Sequence, residues 1–204
     1  MFNFRKFINP VRARKRRYQK ICQLVNLKAK DKILDLGCGE GLSFENFNQE
    51  NKIVGLDKSK QRIFQKNFSY CQGDAANLKR FKNKEFDLVV CIGVLEHLFP
   101  WQKLRKAAKE IQRVGKKYVV VVPHFYTLIE PHYQLPFWQF YPDCFKSWLI
   151  KHFNITWYHK NSRGKFTQLN YFNKQKWLSL FPRAAIISHH HIGGLIRNYI
   201  IFKK

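Results

Sequence analysis

An open, mostly parallel α/β sheet with helices on both faces is the fold this sequence predicts. Three observations point to it. Short continuous apolar runs alternate with helix-periodic segments, the pattern of strands buried on both faces. The first of these runs ends in glycines at alternate positions, a strand-to-turn signal that an ordinary amphipathic helix lacks. Acidic residues then recur just beyond successive strand ends. With 204 residues the chain can bury one sizeable core and is marginal for two domains.

In chain order, the basic stretch Arg5–Lys20 reads as a helix that Pro10 can open, with Tyr18, Ile21, Leu24 and Val25 as its apolar side. Residues 1–30 are therefore expected to form a basic arm ahead of a domain over 31–204. Lys32–Leu36 (KILDL), Lys52–Leu56 (KIVGL) and Phe86–Cys91 (FDLVVC) read as strands. Trp101–Val114 places Leu104, Ala108 and Ile111 at helical spacing, and Tyr118–Val122 (YVVVV) is another strand. The pattern breaks over 123–172, where fifteen of fifty residues are aromatic and four prolines interrupt. This segment is expected to be an insertion above the carboxyl edge of the sheet, forming a lid or pocket wall. Regular structure resumes with Asn173 as N-cap of a helix through Leu180, then strands at Ala184–Ser188 and Ile196–Phe202, with Gly193-Gly194 near the turn.

Composition narrows the classes. No apolar run approaches the ~20 residues of a membrane-spanning helix, and the N-terminus lacks the apolar stretch of a secretory signal. The five cysteines form no CxxC pair, which argues against zinc knuckles and disulfide scaffolds and fits a reduced, cytoplasmic setting. Lys plus Arg number 38 against 13 acids, a formal charge of +25. The excess is uneven: residues 1–30 carry ten basic side chains and no acid, 31–96 are balanced, and 97–204 carry eighteen basic and three acidic. Such a surface attracts polyanions, whether RNA or an anionic membrane. Histidines and acids are too scattered along the chain to mark a metal centre, and in a strand the triplet His189-His190-His191 alternates between faces. No metal is expected.

The most informative stretch is Asp35-Leu36-Gly37-Cys38-Gly39-Glu40-Gly41. It lacks the GxxxxGK[ST] of a P-loop, and its GxGxG spacing departs from the dinucleotide GxGxxG, whose third glycine would fall at Leu42. Asp35 stands where a pyrophosphate would pass; a carboxylate there repels a diphosphate but suits an ammonium group. Asp57 closes the second strand within reach of a ribose diol, and Asp74, in Gly73-Asp74-Ala75-Ala76, can accept from an exocyclic amine. Three carboxylates at successive strand ends describe a zwitterionic nucleoside better than a nucleotide.

Four segments, DLGCGEG (35–41), VGLDKS (54–59), GDAANL (73–78) and FDLVVCIGVLEHL (86–98), resemble in order and spacing the class I S-adenosylmethionine-dependent methyltransferases, over roughly residues 30–122. The resemblance implies a three-layer Rossmann-like fold whose seven-stranded sheet has its last strand antiparallel. It implies S-adenosyl-L-methionine as cofactor, with Asp35, Gly37, Cys38 and Gly39 bordering the methionine part and Asp57, with Lys58 beside it, at the ribose. Asp74 and Ala75 would hold the adenine, with Ile92, Leu95 and His97 lining that side. Glu96-His97 is similar to the acidic-His pair of the small-molecule branch. The strand end Cys91-Ile92-Gly93-Val94 lacks the proline-bearing clamp of amino-directed base methyltransferases, and Cys91 lacks the setting of a carbon-5 nucleophile.

The stretch Glu130-Pro131-His132-Tyr133-Gln134-Leu135-Pro136-Phe137, after Val122-Pro123-His124, is similar to methyltransferases acting on small molecules and cell-envelope saccharides or lipids. His132 is the expected general base, His124 the runner-up, and Glu130 and Tyr133 the other acceptor-side residues. The expected activity is O-methylation of a small-molecule, saccharide or lipid acceptor, with peripheral contact to anionic membrane through the basic arm. Two alternatives are an RNA methyltransferase, for which no base-recognition module is visible, and a non-catalytic cofactor-binding interaction protein.

Overall fold

Seven strands form one sheet in the order β3-β2-β1-β4-β5-β7-β6, and only β7 runs against the rest. The computed structural model describes residues 10–41, 44–60, 66–130, 132–133, 135–153, 167–191 and 194–204. The strands are β1 Lys32–Leu36, β2 Lys52–Asp57, β3 Phe68–Gln72, β4 Phe86–Ile92, β5 Gly115–Pro123, β6 Ala185–His191 and β7 Ile196–Lys203. The helices are α1 Pro10–Val25, α2 Trp101–Val114, α3 Asp143–His152 and α4 Lys174–Leu180.

The central strands are largely apolar because both faces are covered. Period-2 alternation sends Val119 and Val121 of β5 to one face with Ile33, Leu88 and Val90, where Tyr18, Ile21 and Val25 of α1 meet them. Val120 and Val122 join Leu34, Leu36, Val89 and Cys91 on the other, under Leu104, Ala108 and Ile111 of α2 and Trp177 of α4. Each fully buried aliphatic side chain contributes about 1.5–3 kcal/mol, so these two layers supply most of the driving force. The chain reverses through single-residue devices: the Asn173 side chain accepts from Lys176 N at 2.9 Å to start α4, and Gly115 joins α2 to β5 without a loop. A Cβ at Gly115 would stand 2.7 Å from Val89 Cγ2, so only glycine permits that close approach.

Some expected boundaries shift. The first helix begins at Pro10 and continues to Val25, and residues 1–9 lie outside the described residues. Its second half is part of the core rather than a detached arm: Ile21 and Val25 are fully buried, and Tyr18 packs edge-on against Phe47 at 5.2 Å. β5 starts three residues before Tyr118, and β6 runs on through His191.

Between β5 and α4 the described residues build a small apolar cluster of their own, centred on Tyr133, Trp138 and Ile150, with Tyr133 stacked on Trp138 at 4.0 Å. It is tied to the carboxyl edge of the sheet by Asn170, whose N–H donates to Glu96 O (2.8 Å) and whose amide donates to Leu98 O (3.0 Å).

The opposite, amino edge is held by charge. Asp87 accepts from Lys32 N and from Lys116 Nζ, both at 2.8 Å. These contacts, the Lys116 bond foremost, hold the Asp87 carboxyl below its ordinary range. A depressed carboxylate stabilises the fold above the ordinary carboxylate range and loses that contribution as pH falls through the folded value. Thermal denaturation of Asp87→Asn beside the parent protein should therefore show a gap that is widest near neutral pH and closes as pH falls below about 4. A gap of constant size would mean Asp87 is not held as a paired carboxylate.

Candidate active site

At the end of β1 the chain must turn sharply while passing close to β4. Gly37 adopts φ +75°, and a Cβ there would lie 2.1 Å from Val94 Cγ2, so no other residue fits. Its N–H donates to Leu56 O at 2.7 Å, stitching the turn to β2. Gly39, at φ +52°, is different: among the described residues no heavy atom lies within 4 Å of where its Cβ would stand. That open space over a bare backbone is a cradle for a ligand.

Asp57 at the end of β2 couples to this turn. Its Oδ2 accepts from Gly39 N at 3.0 Å, and its Oδ1 accepts from Ser59 N at 2.9 Å and Ser59 Oγ at 2.7 Å. Burial works against the charge, but these bonds outweigh it and hold the carboxyl below its usual value. Beyond β3, Asp74 Oδ1 accepts from Ala76 N at 2.9 Å, while Oδ2 pairs with Lys103 Nζ of α2 at 2.6 Å. Partial burial opposes the Asp74 charge too, and the Lys103 contact, with Ala76 N, more than offsets it.

These strand ends enclose a cavity of about 430 Å³. Of the sequence-expected cofactor residues, Gly37, Asp57, Lys58, Asp74, Ala75 and His97 line it. Asp35, Cys38, Gly39, Ile92 and Leu95 are not on its wall. Leu95 is fully buried in the core, and Asp35 is buried at the end of β1. Burial, then the charges of Asp35 and Asp57, push the Cys38 thiol up to about 12, so it packs as a neutral thiol. Burial likewise pushes Cys91 well up, as a packed residue and not a nucleophile. Gly93, within the 86–98 segment, also lines the cavity, as do Phe99 and Lys103, which have no motif to announce them.

A second constellation adjoins the wall at His97. The turn Leu95–His97 after β4 faces the segment beyond β5, and the rings of His97 and His132 meet edge-on at 5.2 Å. Glu130, with no exposed surface, organises this segment. Its Oε2 accepts from His132 N and Tyr133 N, and its Oε1 pairs with His132 Nδ1, each at 2.6 Å. Burial disfavours the imidazolium of His132, but the Glu130 hydrogen bond and charge, with Glu96, prevail and raise it above its ordinary value. Burial, with the His132 charge, lowers His97 to about 4, and burial raises Glu96 to about 7.

The other two acceptor-side candidates point elsewhere. His124 Nδ1 accepts from Tyr126 N at 2.9 Å, and its ring stacks on Tyr199 at 4.1 Å, so it orders its own loop at the end of β5. Tyr133 is 1 % exposed, and its hydroxyl accepts from Thr167 N at 2.6 Å inside the small cluster. Scattered in sequence, Glu96, His97 and His132 are brought together by the fold: one ligand atom from each lies within 4.8 Å of the others.

Comparison with known proteins gives a family model, "Methyltransferase domain", matching residues 34–122. An uncharacterized protein of Methanocaldococcus jannaschii is 37% identical over 95 residues, covering 44% of this chain and 40% of that protein. The ubiquinone biosynthesis O-methyltransferase of Coxiella burnetii is 30% identical over 142 residues, covering 62% of this chain and 58% of that enzyme. The chain thus spans about half the length of these relatives. Among solved structures, the fold is similar to the 1,6-didemethyltoxoflavin-N1-methyltransferase of Burkholderia thailandensis, with TM-score 0.61 and 12% identity over 93% of this chain and 77% of that one. It is also similar to a SAM-dependent methyltransferase of Methanosarcina mazei, with TM-score 0.59 and 17% identity over 89% and 95%.

Proposed function

We propose that the chain, whose residues 34–122 match the methyltransferase-domain model, is a class I S-adenosylmethionine-dependent methyltransferase that methylates a small-molecule or lipid-like acceptor, through oxygen, at the carboxyl edge of its sheet. The observation that carries this reading is the pairing of a cofactor-sized cavity with the Glu130–His132 constellation at its His97 side. The Burkholderia relative was solved with S-adenosylhomocysteine bound, and the cavity here has groups to match that ligand. Asp57 is held as a carboxylate ready to accept hydroxyl donors. Gly39 is not on the cavity wall but is hydrogen-bonded to Asp57, which is, and it leaves room for a ligand against the backbone. Gly73, without a side chain, and Ala75, with only a methyl, flank Asp74 on the wall. The Asp74–Lys103 pair sets a condition: an exocyclic amine must share Asp74 with Lys103 or displace it.

Bound S-adenosylmethionine supplies an electrophilic methyl on a sulfonium, which an acceptor oxygen takes by in-line displacement. This chain contributes position and proton handling. With Nδ1 engaged by Glu130, His132 presents Nε2 as the acceptor-side basic nitrogen. The segment beyond β5, a lid over the acceptor in this reading, carries Tyr126, Phe137, Phe140, Trp148 and Phe153 partly or largely exposed, a surface that suits an apolar or aromatic acceptor. The O-methyltransferase activity of the Coxiella relative supports oxygen as the acceptor atom. Among the described residues no helix is long and apolar enough to cross a membrane, and the +25 charge suits peripheral contact with an anionic surface.

Calorimetry with S-adenosylhomocysteine tests the proposal. The protein should bind one equivalent, and Asp57→Ala should weaken binding by about 1–3 kcal/mol, the cost of unpaired hydroxyl donors. Loss of the Gly39 N contact adds to that effect. Failure to bind at millimolar concentration, or tighter binding of NAD, rejects the reading.

A further inference from the structure

We propose that Glu96, His97 and His132 bind a divalent first-row transition-metal cation that holds an oxygen of the acceptor beside the cofactor cavity. The proposal rests on the methyltransferase reading and deepens it.

The donor atoms come from two separate chain segments and lie within 4.8 Å of one another. Imidazole and carboxylate donors sit about 2.0–2.2 Å from such ions, which requires donors roughly 3–3.5 Å apart, a contraction that side-chain rotation supplies. Glu96 is the second, independent observation. It is 3 % exposed, and its Oε2 has no hydrogen-bond partner among the described residues. A buried carboxylate oxygen left so is costly unless something cationic meets it.

Charge balance agrees. Two buried carboxylates, Glu96 and Glu130, face two imidazoles across the same space, and a dication neutralises both. Glu130 occupies the supporting position usual for a metal-bound histidine: its Oε1 meets His132 Nδ1 at 2.6 Å and fixes the ring. Two imidazoles and one carboxylate favour a transition metal over magnesium or calcium, and three protein ligands leave open positions for acceptor oxygens. His97 also lines the cofactor cavity, so those positions adjoin it. A cation lowers the pKa of a hydroxyl bound to it, so in this arrangement His132 serves the acceptor as a ligand rather than as a free base.

Cobalt(II) added to the chelator-dialysed full chain is the probe. One equivalent should bind, with the visible d–d absorption of a nitrogen- and oxygen-ligated site. The double variant His97→Ala/His132→Ala should lose saturable binding, and Glu130→Gln should weaken it about 10–100-fold. His152→Ala, at an exposed histidine, should leave it unchanged. Absence of stoichiometric cobalt binding by the parent protein, or binding that survives the double variant, overturns the site. S-adenosylhomocysteine titrated into the same samples separates the two readings. Nucleoside binding without cobalt binding rejects the metal site and keeps the methyltransferase reading. Cobalt binding without nucleoside binding does the reverse.

Discussion

His132→Ala should keep S-adenosylhomocysteine affinity and lose methyl-transfer rate by about 10²–10⁴-fold. His132 is not on the cavity wall and meets His97, which is, edge-on. The substitution removes the nitrogen that meets the acceptor and leaves Asp57, Asp74 and the glycine turn in place. Glu130 loses one partner but still accepts from the Tyr133 amide and the backbone of residue 132, so the segment stays folded at a cost of about 1–3 kcal/mol. The measurement is paired: calorimetry for the nucleoside, and tritiated-methyl transfer to an acceptor selected from a panel of phenols, saccharides and lipids. Equal losses in affinity and rate, or unchanged turnover, would reduce His132 to a scaffold residue. His124→Ala is the companion test. Its ring orders the loop with Tyr126 and Tyr199, and the variant should change stability more than rate.

Gly39→Val should abolish detectable cofactor binding while the protein remains folded. The reason lies in the contrast with Gly37. A side chain at 37 collides with Val94, whereas one at 39 meets no atom of the described residues within 4 Å. The valine therefore costs the fold only its left-handed backbone angle, roughly 1–2 kcal/mol. It fills the cradle, and relaxation of the turn would carry Gly39 N away from Asp57. Circular dichroism should report a folded protein, and calorimetry should report no heat with S-adenosylhomocysteine. Parent-like affinity would show that the glycine turn does not face the cofactor.

Much of the fold was legible because strand burial on both faces leaves an unambiguous record. KILDL, FDLVVC and YVVVV have no polar face, and the spacing of Leu104, Ala108 and Ile111 marks α2 to the residue. β3 was harder, since FSYCQ is an edge strand with one solvated side and shows itself mainly through Asp74 beyond it. The cofactor side was legible for a related reason: residues at strand ends are placed by the sheet itself, so Asp57 and Asp74 follow from local sequence. The cavity wall supplied by α2, including Lys103, carries no local signal because a helix crossing set it. The acceptor side was legible only in part. Glu130 and His132 are neighbours in sequence, but their meeting with Glu96 and His97 depends on long-range contacts at the sheet edge, among them those of Asn170 with Glu96 O and Leu98 O, which are invisible to periodicity. Histidines and acids look scattered because separation along the chain says nothing of separation in space, and the fold brings donor atoms of Glu96, His97 and His132 within 4.8 Å of one another.

The central claim is that the carboxyl-edge cavity holds the cofactor with its reactive sulfur toward the Glu96, His97 and His132 cluster. A crystal structure with S-adenosylhomocysteine tests it most directly. The account predicts ligand density along the ends of β1, β2 and β4, with the ribose at Asp57, the adenine beside Asp74 and Ala75, and the sulfur on the His97 side. Density elsewhere, or a ligand in this cavity with its sulfur turned away from His97, would contradict it.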